Sequence, residues 1–293
     1  MAVMQVNAGS NVPRAVLAAA GALPPGAPVI VMLHGYRFSP HVPAHDPHRH
    51  ILSPIGVPHA PSWPRALGFT GQEDEGLAIA LGWDARGRLR TVYDRAAEVG
   101  TDLGHLVSQL ADRAGRPVGL IGHSLGGRVA LQATAAAEAG SVGRVILLNA
   151  AEFQTAAGEV LSRPAGTQAE VLNVTAREND IFDFALEQLL ARGRLRAVGN
   201  GLGRPRGNWI DLQIDDRATL DALADLGFPT DRGVRRMSHW TPYLRQGLFD
   251  FYRAALCHPW ALPLGFLRHH LPGRPQPRWS RLLVGPSLAG ARA

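Results

Sequence analysis

The pentapeptide Gly122-His123-Ser124-Leu125-Gly126 sets a serine between two glycines, behind the apolar run Val118 to Ile121 and ahead of an alanine-rich stretch ending at Ala139. Between a strand and a helix, this pattern reads as a nucleophile elbow. The turn is too tight for side chains at the glycines, and it lifts the serine hydroxyl clear of the backbone. Ser124 is therefore the candidate nucleophile. Gly and Ser also dominate ordinary turns, so the flanking strand and helix patterns carry the reading. A serine hydroxyl is a weak nucleophile at neutral pH. It needs a base to take its proton and an acid to orient that base and balance its charge. Asp180 and His239 fit those parts. Asp180 follows the apolar run Val171 to Val174 through Arg177-Glu178-Asn179, and His239 follows Val234 to Met237, a pattern that predicts a short last strand.

Each assignment competes with a structural one. His34 ends an apolar run and fits a loop-organising role, while His123 sits in the turn itself and fits the pocket wall. Asp180 could serve as the N-cap of its helix, with Asp183 at the third helical position favoured by the helix dipole. Asp183 is the reserve acid, Asp211 a weaker one, and Asp215 reads as a helix cap. His41, His45, His48 and His50, with Asp46 among them, are potential metal ligands by type. Their spacing matches no metal motif, and the proline-rich setting fits a polar loop at a pocket mouth, so no metal is expected. Arg37 and Arg49 could hold an anionic group there, against the default of solvated arginines.

Those residues need elements to hold them. Val29 to Leu33 is continuously apolar, the pattern of a strand covered on both faces, and similar runs recur at Leu77 to Leu81, Val118 to Ile121, Val145 to Leu148 and Val171 to Val174. Helical patterns separate the later runs. Ala96, Val99, Leu103, Leu106, Val107 and Leu110 form one stripe, and the stretch Leu125 to Ala139 stops at Gly140. The alternation predicts a doubly wound, mostly parallel α/β sheet flanked by helices, with no large separate cap domain. Residues 35 to 76 make a long connection containing Ser62-Trp63-Pro64 and Glu73-Asp74-Glu75, expected to form part of the substrate pocket. Ile181 to Leu190 reads as a helix, 192 to 208 as a loop, Trp209 to Ile214 as a strand, and Thr241-Pro242 as the start of a closing helix. The domain is expected over 1–256, and a Pro/Arg-rich tail over 257–293 that wraps the surface or stays mobile.

The chain has 293 residues, 46% of them hydrophobic, enough for a sizeable core. Its formal charge of +6 rests on arginine alone, because all 30 basic residues are Arg. These are spread along the chain in loose clusters without a nucleic-acid motif, which excludes nucleic acid as an expected partner. A weak attraction for anionic substrates or lipid head groups follows, and Trp260 to Leu267 could touch a membrane surface. No apolar run reaches the ~18 residues of a membrane span. Arg14 with Ala15 to Leu23 has the look of a short signal-peptide core, but it leads straight into a strand and reads as a lead-in to the fold. The single cysteine, Cys257, excludes an internal disulfide and fits a reducing compartment, so a cytoplasmic location is expected.

Taken in chain order, Ser124, Asp180 and His239 resemble the serine, acid, histidine sequence of the α/β-hydrolase superfamily. The resemblance covers roughly residues 28 to 256. Leu33-His34-Gly35 is similar to the family's HG strand end, Gly122 to Gly127 to its elbow, Asp180 to its post-strand acid and His239 to its late histidine. It implies an oxyanion hole made by the backbone N–H groups of Leu125 and Tyr36, although the loop lacks the family's HGGG form. It further implies a carboxylic ester hydrolase, carboxylesterase or lipase-like, acting on a small-molecule ester through an acyl-enzyme and needing no cofactor. His123, Arg37 and Trp240 are the expected substrate contacts. Thioester or amide hydrolysis, acyl transfer and perhydrolysis would use the same triad. A non-catalytic binding protein on the same fold is the alternative of a different class.

Overall fold

The computed structural model describes residues 3–56, 60–72, 75–233 and 236–280. All five apolar runs become strands of one parallel sheet, joined by two further strands. The elements are β1 (Val3–Asn7), α1 (Arg14–Gly21), β2 (Val29–Leu33), α2 (Trp63–Ala66), β3 (Leu77–Gly82), α3 (Leu89–Ala114), β4 (Val118–His123) and α4 (Leu125–Ala136). There follow β5 (Val142–Leu148), α5 (Gln154–Val160), β6 (Glu170–Thr175), α6 (Asp180–Ala191), β7 (Trp209–Gln213), α7 (Arg217–Asp225), α8 (Thr241–Leu244), α9 (Leu248–Cys257) and α10 (Leu264–His270). The strand order is β1-β3-β2-β4-β5-β6-β7.

The sheet is covered on both faces, which is why its central strands carry no polar alternation. Val29, Val31 and Leu33 of β2 point into a core shared with α1, α3, α4 and α5, while Ile30 and Met32 point into a second core with α2, α7, α8, α9 and α10. Two glycines let α3 lie directly on α4. A Cβ at Gly100 would stand 2.5 Å from the Gln132 Cβ, and one at Gly104 would stand 2.7 Å from the Ala136 Cβ. After β2 the chain moves to β3 on one side, whereas β4 lies on the other. The carboxyl ends of β2 and β4 therefore flank a topological switch point, the usual place for a ligand crevice in an open α/β sheet.

Several expectations change. β1 pairs with β3 at the sheet edge, and its half-buried residues gave no apolar run to read. α4 ends at Ala136, ahead of Gly140, where the backbone of Ala137 turns extended. The helix after β7 is capped by Asp216, whose side chain accepts from the Thr219 amide, while Asp215 accepts from the Arg177 amide at 2.9 Å. The strand expected at 234–237 lies partly outside the described residues, and Arg236 and Met237 form a bend, so β7 is the last strand described. The closing helix is broken into α8 and α9 by Gly247, at φ 88°. Glu73 and Asp74 lie outside the described residues.

Two larger segments also behave differently. In the connection 35–76, Ile51, Leu52, Trp63, Leu67 and Phe69 are buried in the second core, so most of that segment is folded body. The core also continues past residue 256, because Leu262, Leu264, Leu267 and Leu271 are buried in the same cluster. Beyond α10 the chain runs back across the carboxyl ends of the strands. The Gln276 amide donates to Gln213 at 2.6 Å, and Arg278 makes a two-pronged ion pair with Glu187 at 2.8 and 2.7 Å.

Candidate active site

Ser124 sits between β4 and α4 with φ 55° and ψ −123°, a conformation that costs a non-glycine residue energy and persists only where its surroundings enforce it. They do so through the backbone. The Ser124 amide donates to Leu148 at 3.0 Å, and its carbonyl accepts from Gly127 and Ala151, both at 2.9 Å. The flanking glycines are required by contact. A Cβ at Gly122 would lie 2.3 Å from the Gly126 carbonyl oxygen, and one at Gly126 would lie 2.3 Å from that of Leu33. Leu125 opens α4, so its N–H has no helical carbonyl a turn earlier to bond. Tyr36 follows Gly35, which packs directly on Ser124, while the next amide, of Arg37, is taken by the Ala85 carbonyl at 2.9 Å.

Ser124, Leu125, Tyr36, His123, Arg37, His239 and Trp240 all line one cavity of about 550 Å³. Its remaining wall comes from Phe38, Leu89, Asn149, Ala151, Tyr243 and the α6 side chains Phe182, Asp183, Ala185, Leu186 and Leu189. Among the described residues, Tyr36, Arg37 and Phe38 are those of the long connection 35–76 that reach the cavity, and none of 192–238 does. The largest share of the lining therefore comes from α6.

His239 is held from three sides. Its carbonyl accepts from His123 Nε2 at 3.0 Å and from Asn149 Nδ2 at 3.1 Å. Its ring stacks on Phe182, with centroids 4.7 Å apart, and its Nδ1 lies 2.6 Å from Oδ1 of Asn179. An amide oxygen can only accept, so Nδ1 carries the proton and Nε2 is left with its lone pair. Burial, with His123 adding to it, holds His239 well below the usual histidine range, so the neutral base persists at ordinary pH. Among the described residues just ahead of His239, Arg236 and Met237 form a bend. Glu178 anchors its loop, accepting from the Ser238 amide through its carbonyl at 2.9 Å and from the Thr241 hydroxyl through its carboxylate.

Asp180 does not reach this histidine. It is the first residue of α6, buried, with Oδ1 3.2 Å from the Arg177 guanidinium and Oδ2 accepting from the Trp279 amide at 2.6 Å. The helix turns it away from His239, and the preceding residue, Asn179, occupies the place expected for the acid. Asp180 does not cap α6 either, since the N-cap position is Asn179. Asp183, one turn into α6, is 3% exposed and lines the cavity. Burial pushes its carboxyl up to about 7, against the pull of Arg177, Arg278 and a side-chain hydrogen bond from Asn179. Asp211 is spent on Asn173 and Trp209, at 2.8 and 2.7 Å.

No protein-family model and no curated protein matches this sequence. Among solved structures, the chain is similar to the crystal structure of the Bacillus licheniformis lipase BlEst2 in its propeptide form, with a TM-score of 0.39 and 12% identity. The likeness covers 87% of this chain and 53% of that one, so this chain spans about half the length of that lipase.

Four further histidines have structural partners. His34 Nε2 accepts from the Trp83 amide at 3.0 Å, its Nδ1–H faces the Gly35 carbonyl at 2.9 Å, and burial drives it down to about 3. It is a fixed strut between the ends of β2 and β3. His123, driven down to about 4 by burial, is a donor to the His239 loop as well as pocket wall. His48 contacts Asn7 at 2.8 Å and His50 the Ala44 carbonyl at 3.2 Å. Among the described residues, no group of three or more His, Cys, Asp or Glu is arranged to hold a metal, and no helix is long and apolar enough to cross a membrane. Cys257 is buried and its thiol is pushed up to about 11.

Sequence reasoning passed over Asn149, Asn179, Phe182 and Tyr243. Asn149 directly follows β5, next to the elbow strand, and that strand-end position was the available signal. Asn179 stood beside the chosen acid, and only the phase of the helix start separates the two.

Proposed function

We propose that this chain is a serine hydrolase of the α/β-hydrolase type that cleaves carboxylic esters with an apolar acyl group. The observation that carries the reading is that Ser124, forced to positive φ at the end of β4, shares a cavity with a neutral histidine whose Nδ1 is already held. Ser124 Oγ attacks the ester carbon as His239 Nε2 takes the hydroxyl proton, and the carbonyl electron pair moves onto oxygen. The Leu125 and Tyr36 amides receive that oxyanion, fixed in place before charge develops. Collapse breaks the bond to the alkoxy oxygen, which leaves with the proton from His239, and water then releases the acyl group by the same steps. Asn179 keeps the imidazole in the reactive tautomer, as an asparagine does for the base in Cys-His-Asn sites. Arg37 and Trp240 stand at the cavity as substrate contacts. No cofactor enters the chemistry, and the lone buried thiol fits our placement of the protein in the cytoplasm.

The neutral side chain on His239 also favours a second reading, a binding protein that keeps the fold with little turnover. Hydrolysis of p-nitrophenyl esters from acetate to palmitate, beside Ser124→Ala and His239→Ala, separates the two. The esterase reading expects a loss of ~10³ or more in both folded variants and a chain-length optimum set by the cavity. Inactivity of the wild type on every ester, with no labelling by a fluorophosphonate, would leave the binding reading.

A further inference from the structure

We infer that Asp183 is the anionic partner of His239, acting through Asn179 as a positioning residue. The inference rests on the reading of Ser124 and His239 as a catalytic pair.

Asn179 immediately precedes α6, and Asp183 lies four residues on, so the two share a helix face. The Asn179 oxygen is committed to His239 Nδ1 at 2.6 Å. What the amide still has to offer is its Nδ2–H pair, and the carboxylate on that face is Asp183, which lines the same cavity as His239 and whose charged form Asn179 favours. An ionised carboxylate accepts and never donates. It therefore decides which way the amide points, with nitrogen toward Asp183 and oxygen toward the Nδ1–H of His239. The alternative orientation would present an N–H to Nδ1, move the imidazole proton to Nε2 and abolish the base. Asp183 thus fixes the tautomer and places a negative charge one hydrogen bond beyond the ring, where imidazolium charge develops.

The surroundings of Asp183 leave it little other freedom. A Cβ at Gly199 would lie 1.9 Å from Asp183 Oδ2, so the opposing backbone has to be glycine. The charged groups that act on it are Arg177 from the turn before α6, Arg278 from the C-terminal segment and Asp180 on its own helix; Glu187, one turn further along α6, is engaged by Arg278. The two cations favour its ionised form, while burial and Asp180 oppose it.

The test uses the full-length protein and an ethoxy fluorophosphonate. Labelling forms the Ser124 Oγ–P bond and breaks P–F, fluoride leaves, and the serine proton goes to His239. Its second-order rate constant is measured from pH 5 to 9 for wild type, Ser124→Ala, Asp183→Asn and the double variant Asn179→Asp/Asp183→Asn. The wild-type rate is expected to rise with pH through a limb near 7, as Asp183 ionises. In Asp183→Asn that limb should vanish and the rate at pH 8 should fall at least tenfold. The double variant, which moves the carboxylate directly onto His239, should recover the rate to within about threefold with no limb near 7. A wild-type rate and pH profile in Asp183→Asn overturns the inference and leaves the hydrolase reading intact. So does a slow, folded Asp183→Asn that the double variant fails to rescue, because a merely structural carboxylate would behave in that way. Absence of Ser124 labelling in the wild type overturns both readings.

Discussion

Gly35 and Ser124 touch across the gap between β2 and β4: a Cβ on Gly35 would stand 2.8 Å from the Ser124 Cβ and 2.9 Å from the His123 carbonyl oxygen. The loop carrying Tyr36 and the turn carrying Ser124 are thus set against each other by backbone contact. Gly35→Ala must displace one of them, and a 1 Å error in a reacting group costs about 10² in rate. We expect kcat/KM for p-nitrophenyl butyrate to fall about a hundredfold or more, with a loss of about 1–3 kcal/mol in urea unfolding. A fully active Gly35→Ala enzyme would disconnect this contact from catalysis.

Phe182 covers the His239 imidazole and is itself 36% exposed at the cavity. Burial is the main cause of the depressed His239 pKa, so removing the ring re-admits water and raises it. In Phe182→Ala the protonated, inactive imidazole should persist to higher pH, moving the acid limb of the His239 titration upward. KM for long-chain esters should rise about tenfold through lost apolar contact. Both follow from pH-dependent kinetics on an ester series.

Asp183 should show in stability as well as in rate. Its folded pKa of about 7 lies above that of an unfolded aspartate, roughly 4, so between those values the native state holds more protons and stability falls as pH rises. Asp183→Asn removes that cost. The variant should match the wild type below about pH 4 and exceed it by up to about 4 kcal/mol at pH 8, seen as a growing Tm difference. Greater stability with lower activity would mark a carboxylate kept for function. An identical pH dependence in both proteins would contradict its buried ionisation.

Arg278 reaches back from beyond α10 to Glu187, and the neighbouring Trp279 amide holds Asp180. The Glu187 side chain is 3% exposed, and its other cation, Arg196, stands 3.9 Å away on the surface. Arg278→Ala leaves Glu187 with the Ala197 amide at 2.9 Å and no close cation, a loss that costs about 1–3 kcal/mol. Because the same segment packs on α6, which carries Asp183 and directly follows Asn179, we expect the Tm drop to come with reduced fluorophosphonate labelling. Loss of stability alone would make the segment a staple with no tie to the site.

The sequence by itself determined the scaffold and the strained serine turn. Runs such as Val29 to Leu33 admit only a strand covered on both faces, and two glycines around Ser124 admit only a tight turn. Those are local constraints, legible without knowing what lies across the sheet. β1 escaped because an edge strand is half exposed and carries no such run. His239 was legible by type and chain order, but what holds it was not. Its position comes from Glu178, His123 and Asn149, each reached only by tertiary contact. Asp180 and Asn179 differ by one step, about 100° around a helix, and no local pattern sets that phase. It is fixed by the Arg177 and Trp279 contacts that draw Asp180 inward, and Trp279 lies about a hundred residues away in the sequence. Tertiary structure alone decided that the His239 imidazole meets the Asn179 amide, with Asp183 in the same cavity wall.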